Sequence, residues 1–324
     1  MDSFQSRSKD ATREMRAVFS KTPLIFNEHL SQKYNASIWL KREDLSPVRS
    51  YKLRGAFNAM RKLRDENHFV CASAGNHAQG VAFMCNHFKV HGTIFMPVTT
   101  PQQKIQKTQL FGGKSVKIKL IGDYFDDCLE AAKKYCKELR AYFLSPFDNE
   151  DIIEGQSSVA AEIDEQFSGT PDHIILPVGG GGLSAGMINF FMDRCRYTFV
   201  EPSGGACLRE ALKVGKPVNL GKVDTFADGA AVGKIGGKPF EYLKNVSMSS
   251  VLTIAEDRIC TTMLEMLNLE GIVLEPAGAL AIDALKDLAP EIQGKKVVCI
   301  ASGGNFDFER LPEVKDRAQR YSGL

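Results

Sequence analysis

HIILPVGGGGLSAG, residues 173–186, is the stretch that decides how this chain folds. Its apolar run His173–Val178 reads as a buried strand, and a helical pattern begins at Leu183. Between them stand Gly179, Gly180, Gly181 and Gly182. Four side-chain-free residues between a strand and a helix bring bare backbone N–H groups to the positive end of the helix, a place for an anion such as a phosphate. A merely flexible turn is disfavoured, because four ordered glycines give up conformational entropy for nothing. A dinucleotide site is the first rival, since Glu201 ends the next strand where a ribose-binding acid would stand. The stretch cannot be written as GxGxxG, however: a required glycine always falls on Leu183, Ser184 or Ala185. Gly112-Gly113-Lys114-Ser115 resembles an ATP-type P-loop, but the first glycine of that motif would be residue 108, which is Thr108.

Outward from this stretch the chain alternates. Phe69–Ala72, Thr93–Met96, Val116–Ile121 and Ala141–Leu144 read as strands, with His77–Phe88, Pro101–Leu110 and Phe125–Leu139 as helices between them. A second series follows Pro146: a helix from Ile152 to about Phe167, the strand His173–Val178, a helix from Leu183, and strands Tyr197–Val200 and Lys296–Ile300. Strand and helix in alternation give parallel sheets with helical crossovers, so the fold class is α/β with two open sheets. A small domain at 68–145 is expected to be inserted into a large one made of 1–67 and 146–324, with a site between them. The N-terminal stretch reads as polar, and no internal repeat or low-complexity segment is visible.

Ile38–Leu40 begins a further strand that runs into Lys41-Arg42-Glu43-Asp44. Ser50 then reads as a helix N-cap, and Leu53, Ala56, Phe57 and Met60 form one apolar helical face. Lys52 falls in the first turn, where the helix dipole and the nearby Lys41, Arg42, Arg49 and Arg54 are expected to lower the pKa of its amine. A neutral amine is a nucleophile. Most lysines are simply solvated; what singles out Lys52 is its company. Ser73-Ala74-Gly75-Asn76-His77 joins a strand to a helix and offers N–H groups and polar side chains for a carboxylate or a hydroxyl. Ser302-Gly303-Gly304-Asn305 follows the last strand in the same way. Loops at the carboxyl ends of parallel strands converge.

Composition narrows the functional class. Apolar residues are 44% and charged residues 25% of the 324 positions, and 41 Lys+Arg against 39 Asp+Glu leave a formal charge of +2. So small a charge implies neither a nucleic-acid nor a membrane-surface partner. No apolar run reaches the roughly 18 residues of a membrane span, and no hydrophobic signal core opens the chain. The eight cysteines include no CxxC pair and read as buried thiols of a cytoplasmic protein.

SYKLRGAFNAM at 50–60, SAGNHAQGVAF at 73–83, PVGGGGLSAG at 177–186, EPAGAL at 275–280 and SGGN at 302–305 together resemble threonine dehydratase and its relatives. These belong to the tryptophan-synthase-like, fold type II class of pyridoxal-phosphate enzymes, and the likeness runs from about Thr22 to the C-terminus. It implies pyridoxal 5'-phosphate as cofactor, held by Lys52 as a Schiff base with Tyr51 beside it. It further implies Asn76 at the ring hydroxyl, Gly179 to Leu183 at the phosphate, Ser302 at the pyridine nitrogen, and Glu275 and Gly229 close by. Ser73, Ala74, Gly75, Asn76 and His77 would bind the carboxylate of an amino-acid substrate. A neutral hydroxyl at the pyridine nitrogen leaves the ring unprotonated and favours elimination over long-lived carbanions. The implied reaction converts L-threonine to 2-oxobutanoate and ammonia, and L-serine to pyruvate. The family also implies a homodimer or homotetramer.

Departures from the family pattern narrow the expectation. Serine racemases of this scaffold have a second serine where this chain has Ala74, which carries no titratable atom, so racemisation is not expected. Cysteine synthases differ in the lysine and phosphate loops. Some relatives bind a divalent ion through a glutamate and an aspartate six residues later; here Glu201 is followed by Cys207 at that spacing, and no metal is expected. Cys85, His87 and His91 have ligand types, but Lys89 and Gly92 indicate a helix turning into a loop. Asp307–Leu324 resembles the lead-in to an isoleucine-binding regulatory domain, and a chain stopping at Leu324 would be a naturally short or truncated enzyme without isoleucine feedback. Rival readings are a serine or hydroxyaspartate dehydratase or racemase, and a non-catalytic cofactor or amino-acid binding protein.

Overall fold

The structure, a computed structural model, describes residues 3–323; Leu324 lies outside the described residues. Ten strands form among these residues: β1 (Leu24–Phe26), β2 (Ser37–Arg42), β3 (His68–Ala72), β4 (His91–Met96), β5 (Val116–Leu120), β6 (Tyr142–Phe143), β7 (His173–Pro177), β8 (Arg196–Pro202), β9 (Val251–Ile254) and β10 (Lys296–Ala301). They make a six-stranded sheet in the order β1-β2-β10-β7-β8-β9 and a four-stranded sheet in the order β5-β4-β3-β6. Pairing is parallel throughout except between β1 and β2 at one edge. The α/β class with two open sheets is therefore the observed one.

Parallel strands linked by helical crossovers must be covered on both faces, and the side chains alternate accordingly. In β10, Val297, Cys299 and Ala301 join one core cluster, while Val298 and Ile300 join the cluster on the opposite face. Ile175 of β7 lies with the first set, and Ile174 and Leu176 with the second. The smaller sheet does the same, with Phe69, Cys71, Ile94 and Met96 on one side and Val70, Ala72 and Phe95 on the other.

Three helices that carry or flank the expected site pack backbone to backbone. These are Lys52–Lys62, Glu150–Gln156 and Gly182–Phe191. A Cβ built on Gly155 would lie 2.6 Å from Arg54 O and 2.7 Å from Gly55 Cα, and one on Gly186 would lie 2.7 Å from Ile153 O. Glycines at the crossings thus lock the helix of Lys52 and the helix behind the glycine loop to the same short connector.

Three local expectations need correction. Ser50 does not cap the helix: its backbone is bridged to Gly303 and bonded to Ser46 Oγ, and the helix starts one residue after Tyr51 without a side-chain cap. The helix expected from Ile152 to Phe167 is broken at Ser157, where Ser157 Oγ donates back to Glu154 O at 2.6 Å, a side-chain bond that competes with the helix ladder. The polar N-terminal stretch is the helix Phe4–Met15, capped by Ser3 Oγ and buried along Ser8, Ala11, Thr12 and Met15.

Gly155→Ala tests the crossing. The change gains roughly 0.5–1 kcal/mol of helix propensity, but overpacking two backbones costs about 1–3 kcal/mol. A net loss is expected, read as a lower urea midpoint at unchanged slope.

Candidate active site

Lys52 is the first residue of its helix, and its Nζ donates to Pro146 O at 3.1 Å. The aromatic rings of Tyr51 and Phe147 flank the ammonium, at 5.4 and 5.9 Å from their centroids. Its pKa is lowered from 10.5 to about 8, as the sequence led us to expect, but the cause is different. Burial disfavours the charged amine, and the Glu275 carboxylate partly opposes that effect. Three of the four neighbouring cations are engaged elsewhere. Arg54 donates to Glu43 (2.7 and 2.9 Å) and Glu162 (2.8 and 2.9 Å), Lys41 to Glu162 at 2.6 Å, and Arg42 to Asp44. Arg54, Lys41, Glu43 and Glu162 are all fully buried.

The loops after β3 and β10 meet beside Lys52. Asn76 Nδ2 donates to Glu275 Oε1 at 2.6 Å, and Asn76 Oδ1 accepts from Asn305 Nδ2 at 2.7 Å. Asn305 Nδ2 also donates to Val48 O at 2.9 Å. Gly229 and Gly303 exist as glycines because this cluster leaves no room: a Cβ on Gly229 would lie 3.1 Å from Glu275 Oε1, and one on Gly303 would overlap that carboxylate. Ser302 is buried; its O accepts from Tyr51 N at 3.2 Å, and its Oγ donates to Ala277 O at 3.3 Å. Burial also acts on Glu275, raising its carboxyl to about 7, with Asp228 adding to the effect.

The glycine loop closes another side. Gly181 has φ +89° and ends the turn into the helix Gly182–Phe191, which has no side-chain cap. A Cβ on Gly179 would come within 3.1 Å of Ala230 Cα, and one on Gly180 would overlap the Phe147 ring. Phe147 follows the residue that accepts from Lys52, so the lysine and the phosphate-loop candidate are neighbours. Leu183 is the second residue of that helix and is buried.

Ser73, Ala74, Gly75 and Asn76 are half-buried. A Cβ on Gly75 would meet nothing within 4 Å, so this loop faces open space. His77 is buried with its Nε2 3.0 Å from Leu144 O; burial and then Lys52 lower it to about 3, which keeps it neutral. It fixes the loop and is no acid-base group near pH 7. Glu201 accepts from Leu208 N (2.6 Å) and Arg209 N (2.9 Å), and Cys207 Sγ donates to Gly179 O at 3.2 Å. Lys89, in the left-handed region at φ 59°, ends the helix that carries Cys85 and exposed His87, and His91 opens β4. Among the described residues no group of three or more potential metal ligands occurs, and no helix is long and apolar enough to cross a membrane.

A buried lysine of lowered pKa, a glycine loop at a helix N-terminus and an amide–carboxyl pair where loops of the two sheets meet suit a cofactor-dependent enzyme. The chain belongs to the pyridoxal-phosphate dependent enzyme family, whose model matches residues 16–303. It is similar to "L-threonine dehydratase biosynthetic IlvA" of Bacillus subtilis (strain 168), 44% identical over 320 residues that cover 97% of this chain and 76% of that protein. The protein of the same name from Lactococcus lactis subsp. lactis (strain IL1403) is 45% identical over 325 residues, 98% of this chain and 78% of that one. The processed form of threonine deaminase isoform 2 from Solanum lycopersicum superposes with a TM-score of 0.89 at 33% identity, covering 97% of this chain and 93% of that one.

The residues present fit the family's cofactor. Ser184 Oγ, in the first turn behind the glycine loop, is a buried hydroxyl without a hydrogen-bond partner among the described residues, next to backbone N–H groups that suit a phosphate. Lys52, Asn76 and Ser302 supply the other chemical types: an amine, an amide and a neutral hydroxyl. Sequence reasoning placed Asn305 in a converging loop without giving it a role, and missed Phe147 and the Pro146 carbonyl. Asn305 closes the SGGN motif, which is visible, but its bond to Asn76 depends on tertiary placement.

Lys52 labelled by trace acetic anhydride in the cofactor-free protein should titrate with a midpoint near 8, since the reactive neutral amine grows as pH rises through its pKa. Peptide mass spectrometry resolves Lys52 from buried Lys41, which burial also lowers to about 8, and measures it against the ordinary lysine midpoint near 10.4.

Proposed function

We propose that the protein is a threonine ammonia-lyase, converting L-threonine to 2-oxobutanoate and ammonia and L-serine to pyruvate. The observation that carries the reading is the placement of an amine lowered to about 8 beside a glycine anion cradle, in a chain 44% identical to a protein named L-threonine dehydratase. Bound pyridoxal phosphate supplies an electron sink for the pair left behind when a substrate Cα–H bond breaks. The chain supplies the rest. Gly179 to Gly182 and Leu183 would hold the phosphate through backbone N–H groups, Ser302 would offer the pyridine nitrogen a neutral hydroxyl, and Asn76, whose amide is fixed by Glu275 and Asn305, would stand at the ring hydroxyl. Gly229, where a Cβ would meet Ala277 and Glu275, and Tyr51 would stand close to the cofactor. Lys52 in its neutral form takes the Cα proton. The loop Ser73 to His77 presents N–H groups to the substrate carboxylate, with neutral His77 as its anchor on Leu144 O.

Residues 1–67 and 146–324 form the large domain and 68–145 the small one in this reading. A cytoplasmic homodimer or homotetramer working in isoleucine biosynthesis belongs to the same proposal; the biosynthetic relatives support the pathway and eight free thiols the reducing compartment.

Purified protein loaded with cofactor should release keto acid and ammonia from threonine. Lys52→Ala should lower the rate by on the order of 10³-fold or more while the glycine loop still binds cofactor. A coloured protein that releases no keto acid from threonine or serine would instead be a binding protein. Ala74 has no proton to give, so residual L-serine should stay L, and Ala74→Ser should introduce D-serine detectable by chiral chromatography.

A further inference from the structure

One helix of the four-stranded unit, Gln102–Gly112, sends three side chains across to loops at the carboxyl ends of the six-stranded sheet. Gln103 Nε2 donates to Phe306 O at 3.3 Å, Lys104 pairs with Asp228, and Lys107 Nζ donates to Asn305 Oδ1 at 3.0 Å. Positions 103, 104 and 107 share one helical face. Two of the three partners touch the cluster described above: Asn305 bonds Asn76, and Asp228 precedes Gly229, which is packed against Glu275.

Glu275 is the buried carboxyl at the centre of this meeting. Charged and titratable groups face it from every side: Tyr51 and Lys52 from the start of the lysine helix, Lys104 and Lys107 from the cross-cleft helix, and Asp228 from its own loop. Asn76 Nδ2 and the Asn305 backbone N–H donate to it as neutral groups. A carboxylate near a buried carboxyl raises the proton affinity of the buried one. Asp228 acts on Glu275 in that direction, and Lys104 acts in the other.

We propose that Lys104 is a positioning residue of this site: its ion pair with Asp228 ties the two sheets together across the cleft and keeps the Asp228 charge from forcing a proton onto Glu275. Lys104 thereby limits how far the proton affinity of Glu275, the acceptor of the Asn76 bond, is raised. The inference rests on the role given to Asn76 and Glu275 in the proposed function. Lys104 is mostly buried, with 17% of its side chain exposed, and Asp228 is 35% exposed, so solvent screens the pair only in part.

The test follows the carboxylic-acid carbonyl band of Glu275 by infrared titration of the cofactor-free protein, the band being identified by its loss in Glu275→Gln. Lys104→Met should raise the midpoint by on the order of half to one pH unit. Asp228→Asn should lower it, and the double variant should return it close to that of the parent. Lys104→Arg should keep the parent midpoint. The acid limb of kcat/KM for threonine, measured on holoenzyme, should move in the same order. A midpoint unchanged in Lys104→Met, or one that stays raised in the double variant, overturns the proposal. Should Lys104→Met fail to fold, Asp228→Asn decides alone: an unchanged midpoint overturns it. The band is read without turnover, so loss of the lyase reading and loss of this inference are separate results.

Discussion

The structure depends on the buried ionic knot of Arg54 with Glu43 and Glu162, to which Lys41 adds a second cation. Arg54 lies two residues after Lys52, on the far side of the same helix, and its guanidinium is held by carboxylates from the loop after β2 and from the helix Ser158–Gln166. Placing these charges in the interior carries a desolvation cost that their attraction roughly offsets, so the knot adds little net stability. Its effect is on register. A planar guanidinium with several carboxylate bonds permits one rotation of the helix about its axis. That rotation aims Lys52 at Pro146 O and the glycine loop, while the glycine crossings at Gly55 and Gly155 fix the separation of the helices.

Removal of water governs the electrostatics on the other side of that helix. The same desolvation that lowers Lys52 raises Glu275, so an amine and a carboxyl of ordinarily distant pKa approach each other near neutrality. Dryness of this kind is what lets a lysine serve as a base and still return its proton. His77 lies in the same dry zone but is pushed so low that it is only a donor or acceptor, and acid-base work is left to groups nearer the cleft.

Much of this was legible in the sequence, because strand and helix alternate and because loops that place glycine, serine or asparagine after a strand have few structural uses. The glycine loop and the loops of Asn76 and Ser302 were found that way, Lys52 was singled out by their company and by the family resemblance, and these parts converge in space. The reasoning failed where tertiary partners override local pattern. Lys41 and Arg54 looked like free cations near Lys52, since nothing local shows that Glu162, more than a hundred positions away, neutralises both. Ser50 looked like a cap until the Gly303 bridge claimed its backbone. The N-terminal helix was hidden because Ser8 and Thr12 hold their hydroxyls on backbone carbonyls and so pass as buried residues. Lys104 gave no signal, being one more lysine on a helix rich in Gln and Lys.

The cysteines described as free divide evenly between the two sheet systems. Cys71, Cys85, Cys128 and Cys136 belong to the four-stranded unit, and Cys195, Cys207, Cys260 and Cys299 to the six-stranded one. All but Cys195 are buried, and burial raises Cys71, Cys85, Cys128, Cys136, Cys195, Cys207, Cys260 and Cys299 alike. A thiol that cannot ionise does not react with an alkylating reagent until the structure around it opens. The seven buried thiols, four in one half and three in the other, are therefore two internal clocks whose separate rates record how often each half of the molecule breathes.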